Sequence, residues 1–382
     1  MTDQAAPAHT PTRDRLIELD VLRGIALIGV CVMNYHGYLL NRSGDQAATG
    51  FFDRVFDPWQ GPLSTRFAAV FVTVAGMGVA LMSAKARAAR DRAAISEVRR
   101  TLVRRGVLLY LVGYFLNWVW PGTILLYYGA FFLLAALLFT LRDRWLAVIG
   151  GAAVLAAAAV QWWALDRETN GHDADWLLYG PETARQALDL GEIIDHLDMH
   201  SPREQLLYTV LRGTHPILPW LAFFCLGIAL GRRLPFSQLT RYYMAFIGGT
   251  LLAVGYIARR ALPVHELLRS TSPFDRGVLY MVTAVGSTLL AVSLLGWLAT
   301  RTAASRPTLA LADTGRTTLT LYVAHALVFN LVVDWLGWVH PGGLSTSLLF
   351  AFCFWCVAVM FATLLHQRFR NGPLESAYRW FS

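Results

Sequence analysis

The stretch that decides the fold is residues 277–299, GVLYMVTAVGSTLLAVSLLGWLA, which holds no charged side chain. As a helix it would be about 34 Å long, enough to cross the ~30 Å hydrocarbon core of a bilayer. Similar apolar runs recur along the whole chain, without the alternation of apolar and polar residues that strands show. Helices satisfy their backbone hydrogen bonds internally, as lipid requires. The sequence therefore predicts an all-α integral membrane protein.

Ten apolar runs predict a polytopic bundle of about ten transmembrane helices. The runs are residues 22–40, 62–84, 106–120, 124–141, 145–165, 216–231, 242–261, 277–299, 316–336 and 345–366. Trp120-Pro121-Gly122 predicts a tight hairpin after the third run, because proline stops a helix and glycine permits unusual dihedrals. The predicted domains are a tail (1–21), a transmembrane domain (22–366) that includes an outer loop (166–215), and a second tail (367–382).

Charge predicts the orientation. Only 15% of the 382 residues are charged, against about 25% in soluble domains, and the formal net charge is +8. Twenty-one of the 33 Lys and Arg residues lie on one predicted side, many of them between residues 85 and 105, and ten lie on the other. The positive-inside rule puts the larger set in the cytoplasm. We therefore predict a multi-pass protein of the inner (plasma) membrane with both ends cytoplasmic, and we expect lipid rather than nucleic acid as its partner.

The longest outer segment, residues 166–215, is too polar for lipid and contains four histidines. Residues 183–198 and 203–212 are predicted as short helices over the outer mouth. Long loops in a compact protein are often functional, so we expect a lid or a substrate platform here.

Polar residues inside a span are costly and usually face a cavity or a partner. In the first span, Arg23 either pairs with Asp20 or contacts an anionic ligand at the cytoplasmic mouth. Asn34 and His36 lie toward the outer half of the same helix. His36 either makes a packing hydrogen bond or acts as a general base, since its ordinary pKa of about 6.5 suits proton transfer. Arg66 in the second span is expected to pair with an acid or to line a wet cavity.

Three further segments carry candidate site residues. Asp57 and Trp59 precede the second span. Trp59 is a natural interface anchor, and Asp57 would supply a carboxylate at the outer mouth. His215 opens the sixth span, where the helix dipole favours a neutral imidazole that can act as a base. In the ninth span, Tyr322 and His325 share one helix face, which we expect to look inward. His325 is either a hydrogen-bonded core residue or a catalytic one.

Soluble nucleotide and metal chemistry has no support in the sequence. There is no G-x-G-x-x-G before a helix, no Walker loop, no H-E-x-x-H and no G-x-S-x-G. We expect no metal.

Several segments together resemble the YeiB-like bacterial membrane proteins and, in the same transmembrane acyltransferase superfamily, heparan-α-glucosaminide N-acetyltransferase. The segments are 19–27 (LDVLRGIAL) with Met33-Asn34-Tyr35, Trp59-Gln60-Gly61 with Gly76-Met77-Gly78, 216–220 (PILPW) with Gly227 and Gly231-Arg232, Gly315-Arg316 with 321–325 (LYVAH), and 372–375 (GPLE) with Arg379.

This resemblance implies transfer of an acyl group from a cytoplasmic acyl-CoA, with acetyl-CoA the expected donor, to an acceptor on the outer side. The acceptor would be a hydroxyl or amine of a small molecule or glycan. Arg23, Arg104 and Arg105 would meet the phosphates of the acyl-CoA, and Asn34 would orient the thioester or stabilise developing negative charge. Further contacts to the substrates are expected from Arg66, Trp59, Arg316, Tyr322 and His325. A homodimer is left open.

The chain departs from the acetyltransferase at one point. That enzyme keeps its catalytic histidine just before a W-N-G motif, whereas residues 51–58 contain no histidine here. The base is then His36, Asp57 or His215, or the activity is absent. The alternative hypothesis is a transporter of a small polar molecule, in which Arg66, His325 and Asp334 would serve as intramembrane polar residues.

Overall fold

The computed structural model describes residues 13–43, 50–171, 202–340, 342–369 and 371–381. These residues form helices and, within those ranges, no strand. The α-helices are α1 (Arg13–Ser43), α2 (Phe51–Phe56), α3 (Arg66–Met82), α4 (Ala84–Ala89), α5 (Arg92–Val119), α6 (Leu125–Leu138), α7 (Asp143–Thr169), α8 (Pro202–Leu207), α9 (Ile217–Gly231), α10 (Gln238–Ala261), α11 (Glu266–Arg269), α12 (Val278–Arg301), α13 (Arg306–Arg316), α14 (Thr318–Phe329), α15 (Leu344–Arg368) and α16 (Pro373–Phe381). π-Helical turns, Tyr208–Arg212 and Asn330–Trp335, extend α8 and α14.

Apolar helices indicate a membrane protein. In the described part of the chain, five helices are long and apolar enough to cross a bilayer. They are α5, α7, α12, α15, and α14 together with its π-helical extension. A sixth span results if α8 and α9, which are bent by 57° at the turn between them, form one broken span. In addition, α3 and α6 are shorter apolar helices.

The predicted count of ten spans is therefore not established by length and composition, although a helix lies at each of the ten predicted positions. The physical reason is that polar residues make two long helices, α1 and α10, less hydrophobic. Asn34, Tyr35 and His36 interrupt the apolar run of α1, and Arg241 and Arg259-Arg260 limit the uncharged run of α10 at its two ends.

The two predicted tails contain helix. α1 begins at Arg13, and residues 17–21 of the predicted first tail are buried in the bundle. α16 lies within the predicted second tail. Residues 203–212 are helical as predicted, in α8 and its π-helical turn. The predicted helix 183–198 lies outside the described residues, as do three of the four loop histidines.

Small residues bring α3 and α9 into backbone contact. A Cβ atom added to Gly227 would lie 2.0 Å from the carbonyl oxygen of Thr73, and one added to Gly76 would lie 2.3 Å from that of Phe224. Such close approach is how helices pack in lipid, where no hydrophobic force drives them together. α5 and α6 pack against each other across the predicted hairpin, in which Gly122 has φ +78°.

α1 is the central helix and contacts α3, α12, α13, α14 and α15. Near its start, Glu18 makes a buried bidentate ion pair with Arg241 of α10, with N–O distances of 2.9 and 2.8 Å. One end of α1 thus borders the region of the predicted cytoplasmic charges, and the other reaches the predicted outer loops.

Candidate functional site

Two cavities lie at the two ends of the bundle, and we name them by the sides that the sequence predicts. The outer cavity has a volume of about 110 Å³, and its walls include Asn34, Trp59, Trp120 and His215. The inner cavity has a volume of about 1470 Å³ and lies between α1, α5, α13 and α16. None of the described residues that line the outer cavity is Asp, Glu, Lys or Arg.

Arginine dominates the charge of the inner cavity. Five arginines and three acids line it: Arg23, Arg105, Arg306, Arg316 and Arg379, with Asp20, Asp313 and Glu375. Arg23 pairs with Asp20 at 3.3 Å, as one of its two sequence interpretations predicts, and also lines the cavity. Arg316 pairs with the same Asp20 at 2.9 Å and with Asp313 at 3.2 Å. The cavity is therefore positive, and its arginines are partly compensated.

The two predicted phosphate contacts on α5 separate in the structure. Arg105 lines the inner cavity, where its guanidinium lies 5.1 Å from the ring centre of Tyr378 on α16. Arg104, predicted to act beside it, is exposed and does not line either cavity. Adjacent residues on a helix point about 100° apart, so only one of the two faces the bundle.

Burial shifts two pKa values beside the inner cavity. It raises the pKa of the Asp313 carboxyl, an effect that His366 and Arg316 oppose. It also raises the pKa of the Tyr378 phenol, against the charges of Arg105 and Arg23. Tyr378 is therefore a neutral phenol at physiological pH.

A single layer of side chains separates the two cavities. Tyr322 and Ile124 line both of them. The hydroxyl oxygen of Tyr322 accepts a hydrogen bond from the backbone N–H of Ile124 at 2.9 Å and lies 3.2 Å from the hydroxyl of Thr123. Tyr322, which is predicted to face inward, thus forms part of the partition between the two cavities.

Asn34 and His325 form a hydrogen-bonded pair beside that partition. Nδ1 of His325 contacts the carbonyl oxygen of Tyr322, which can only accept, so Nδ1 carries the proton. Nε2 is then an acceptor, and it lies 3.2 Å from the amide nitrogen of Asn34. His325 is fully buried and does not line the outer cavity, whereas its partner Asn34 does.

His215 lines the outer cavity at the loop between the two helices of the bent pair. Its Nδ1 lies 2.9 Å from the hydroxyl of Thr214, which donates to the carbonyl oxygen of Gly122 at 3.2 Å. The ring of Trp220 meets the imidazole edge-on at 4.6 Å between centres. The imidazole is thus held in one orientation.

The structure places two predicted bases elsewhere. His36 is buried, its Nδ1 lies 3.3 Å from the hydroxyl of Ser347 on α15, and it does not line the outer cavity. The carboxylate of Asp57 accepts from the backbone N–H groups of Trp59 and Gln60, at 2.7 and 2.8 Å, and closes a turn. Its role is to shape the loop that brings Trp59 to the cavity.

Among the described residues, Arg66 pairs with no acid, and it lines neither the outer nor the inner cavity. Its guanidinium donates to the hydroxyl of Thr283 at 2.9 Å and to the carbonyl oxygens of Tyr280 and Thr271 at 3.4 Å. It also lies 5.1 Å from the ring centre of Tyr280. Arg66 therefore ties α3 to α12 and to the loop before it.

The described residues contain no group of three or more His, Cys, Asp or Glu side chains that would hold a metal ion. Residues 240–382, from α10 to α16, match the model of a family described as "Protein of unknown function (DUF418)". The YeiB-like proteins belong to that family, so the match agrees with this part of the resemblance. No curated protein matches the chain.

Sequence reasoning missed several residues of the site. The sequence gives no sign of a role for Thr214, although this residue directly precedes His215. Trp120 appeared only as part of the hairpin, yet its ring lies 4.0 Å from that of Tyr38 and forms a wall of the outer cavity. The Asn34–His325 pair joins residues 291 positions apart, and nothing in the local sequence signals it.

Proposed function

We propose that the protein is a membrane acyltransferase that moves an acyl group from a cytoplasmic acyl-CoA to a hydroxyl or amine at the outer side, with acetyl-CoA as the expected donor. One observation carries the proposal: a large basic cavity and a small uncharged cavity share a wall at Tyr322 and Ile124. A donor thioester in the first and an acceptor in the second can meet across one side-chain layer.

The inner cavity suits the donor in size and charge. Its volume of about 1470 Å³ exceeds the roughly 300–1,000 Å³ of ordinary small-molecule sites. Arginine binds phosphate in a bidentate manner, and five arginines line this cavity. Apolar walls, including Phe71, Leu109 and Phe132, lead toward Ile124 and suit the uncharged arm of a coenzyme A thioester.

The outer cavity suits a small neutral acceptor group. Asn34 lines this cavity, and one of its two N–H bonds is directed to His325. No described residue accepts its second N–H, which can donate to the thioester carbonyl as negative charge develops on that oxygen. In the reaction, the acceptor oxygen or nitrogen attacks the carbonyl carbon and loses a proton to a base. The carbon–sulfur bond then breaks, and the sulfur leaves with a proton as free coenzyme A.

The proposal includes about ten crossings with both ends in the cytoplasm of a plasma membrane. The distribution of the cavity residues supports this topology. The charged residues of the inner cavity all come from the predicted cytoplasmic ends of their helices, and the loops beside Trp59, Trp120 and His215 all come from the predicted outer ends.

Binding of acetyl-CoA to the purified protein tests the proposal. We expect saturable binding in detergent micelles, together with slow release of thiol as water replaces the acceptor. Arg105→Gln should weaken binding about tenfold or more, because a hydrogen bond to a charged group contributes roughly 1.5–3 kcal/mol. Arg104→Gln is the matched control, one position away and outside the cavity. Absence of binding at millimolar acetyl-CoA, or equal effects of the two variants, would refute the proposal.

A transporter is the second candidate, because paired cavities with one partition also suit alternating access. The residues predicted to serve it argue against it. Asp334 is held by Arg42 in a bidentate ion pair at 2.9 and 3.0 Å, and neither Arg66 nor His325 lines the outer or the inner cavity. Counterflow of a small polar solute into proteoliposomes, without acetyl-CoA binding, would favour the transporter.

A further inference from the structure

The hydroxyl of Thr214 fixes the proton of the neighbouring histidine. A hydroxyl has one hydrogen, and Thr214 gives it to the carbonyl oxygen of Gly122, which can only accept. Toward His215 the threonine oxygen must therefore accept, so Nδ1 of the imidazole is the N–H donor at 2.9 Å. The other ring nitrogen, Nε2, then carries a lone pair.

That lone pair has no protein partner. Among the described residues, none donates a hydrogen bond to Nε2 of His215, and the imidazole lines the outer cavity. The other candidate histidines differ. Nε2 of His325 is engaged by Asn34, and His36 points to Ser347 and does not line the cavity. His215 thus offers the free imidazole nitrogen at the predicted acceptor position.

Three hydrogen bonds to two side chains hold the loop that carries the imidazole. The backbone N–H of Thr214 donates to the hydroxyl of Tyr127 at 3.1 Å, and Arg276 donates to the carbonyl oxygens of Arg212 and Gly213 at 2.6 and 3.1 Å. Gly213 leaves no room for a side chain, because an added Cβ would lie 1.7 Å from the hydroxyl of Tyr127. A base held this firmly needs little reorganisation during the reaction.

We propose that Nε2 of His215 is the general base of the acyl transfer and that Thr214 is its positioning residue, an inference that rests on the proposed function. Nε2 takes the proton of the acceptor O–H or N–H while the acceptor atom attacks the thioester carbonyl carbon. The carbon–sulfur bond breaks, and the proton on the imidazolium returns to the leaving sulfur, directly or through water. The products are the acylated acceptor and free coenzyme A, and the imidazole is neutral again.

The first test uses acetyl-CoA with water as the acceptor, so it needs no identified substrate. His215→Asn keeps a donor toward Thr214 but removes Nε2. We expect unchanged acetyl-CoA binding and about a 100-fold or greater loss of thiol release, the usual contribution of a general base. His340→Asn, at an exposed histidine that lines neither cavity, is the matched control and should stay within about threefold of the unaltered protein. The proposal is overturned if His215→Asn binds acetyl-CoA and releases thiol at a rate within about threefold of that of the unaltered protein.

The positioning role has its own test by conservative replacement. Thr214→Ser keeps the hydroxyl and should retain thiol release, whereas the isosteric Thr214→Val should lose about tenfold or more at unchanged acetyl-CoA affinity. Equal rates for the serine and valine variants would refute the role of Thr214.

A third measurement is independent of coenzyme A. Diethyl pyrocarbonate acylates accessible, unprotonated imidazole nitrogens, and mass spectrometry locates the product. His215 should react at least about tenfold faster than His325, whose Nε2 is occupied. Equal rates would contradict a free Nε2. If the unaltered protein binds no acetyl-CoA, the proposed function fails, while this measurement still decides the state of His215.

Discussion

The buried ion pair between Glu18 and Arg241 should be essential for the bundle, because it fixes the helix that borders both cavities. Arg241→Met removes one partner of a bidentate contact at 2.9 and 2.8 Å and leaves Glu18, 1% exposed, without its counter-charge. Stranding one charge of such a pair costs about 3–5 kcal/mol. The unfolding equilibrium should then shift by about a hundredfold to a few thousandfold.

The measurement is the free energy of unfolding in mixed detergent micelles. Arg260→Met, an exposed arginine on the same helix, is the matched control and should change stability by less than about 0.5 kcal/mol. The double variant Glu18→Leu/Arg241→Met should lose much less than the two single losses combined, since no charge remains buried. A loss below about 1 kcal/mol for Arg241→Met alone would refute the reasoning.

Three further predictions concern the inner cavity and the partition. Glu375 of α16 accepts hydrogen bonds from two backbone N–H groups at the start of α14, so Glu375→Gln should speed hydrogen exchange in residues 372–381 about tenfold. Tyr322→Phe leaves the buried N–H of Ile124 without its acceptor and should cost about 1–3 kcal/mol in thermal unfolding. Burial raises the pKa of Asp313 above its ordinary value of 3.8. The protonated carboxyl therefore contributes stability that is fully present below pH 3.8 and is lost as the pH rises through the raised pKa. Asp313→Asn should flatten that fall in a stability–pH profile.

Much of the secondary structure follows from local sequence. The uncharged run 277–299 coincides with α12, Val278–Arg301, and the hairpin at Trp120-Pro121-Gly122 is present. Apolar length and turn chemistry are properties of contiguous residues, so they can be read without knowing the packing. The number of spans is harder, because it depends on whether polar residues in α1 and α10 face protein or lipid.

The choice between two histidines for the proposed base shows where local sequence fails. His36 and His215 are both histidines near a predicted outer interface, and the sequence treats them alike. The structure distinguishes them by what each nitrogen contacts: Ser347 on α15 for His36, and Thr214 backed by Gly122 for His215. Those contacts depend on the rotation of α1 and on the path of a loop, which arise only when the helices pack.

The arginines of the inner cavity are partly neutralised by acids that line the same cavity. Asp20 holds both Arg23 and Arg316, so neither guanidinium has to be desolvated as an isolated charge before a ligand arrives. The five arginines still outnumber the three acids, so a phosphate entering the cavity is attracted and gains donors. Because Asp20 competes for the same donors, its carboxylate also opposes permanent occupancy. This balance suits the proposed acyl-CoA cosubstrate, which would have to bind, react and leave as free coenzyme A.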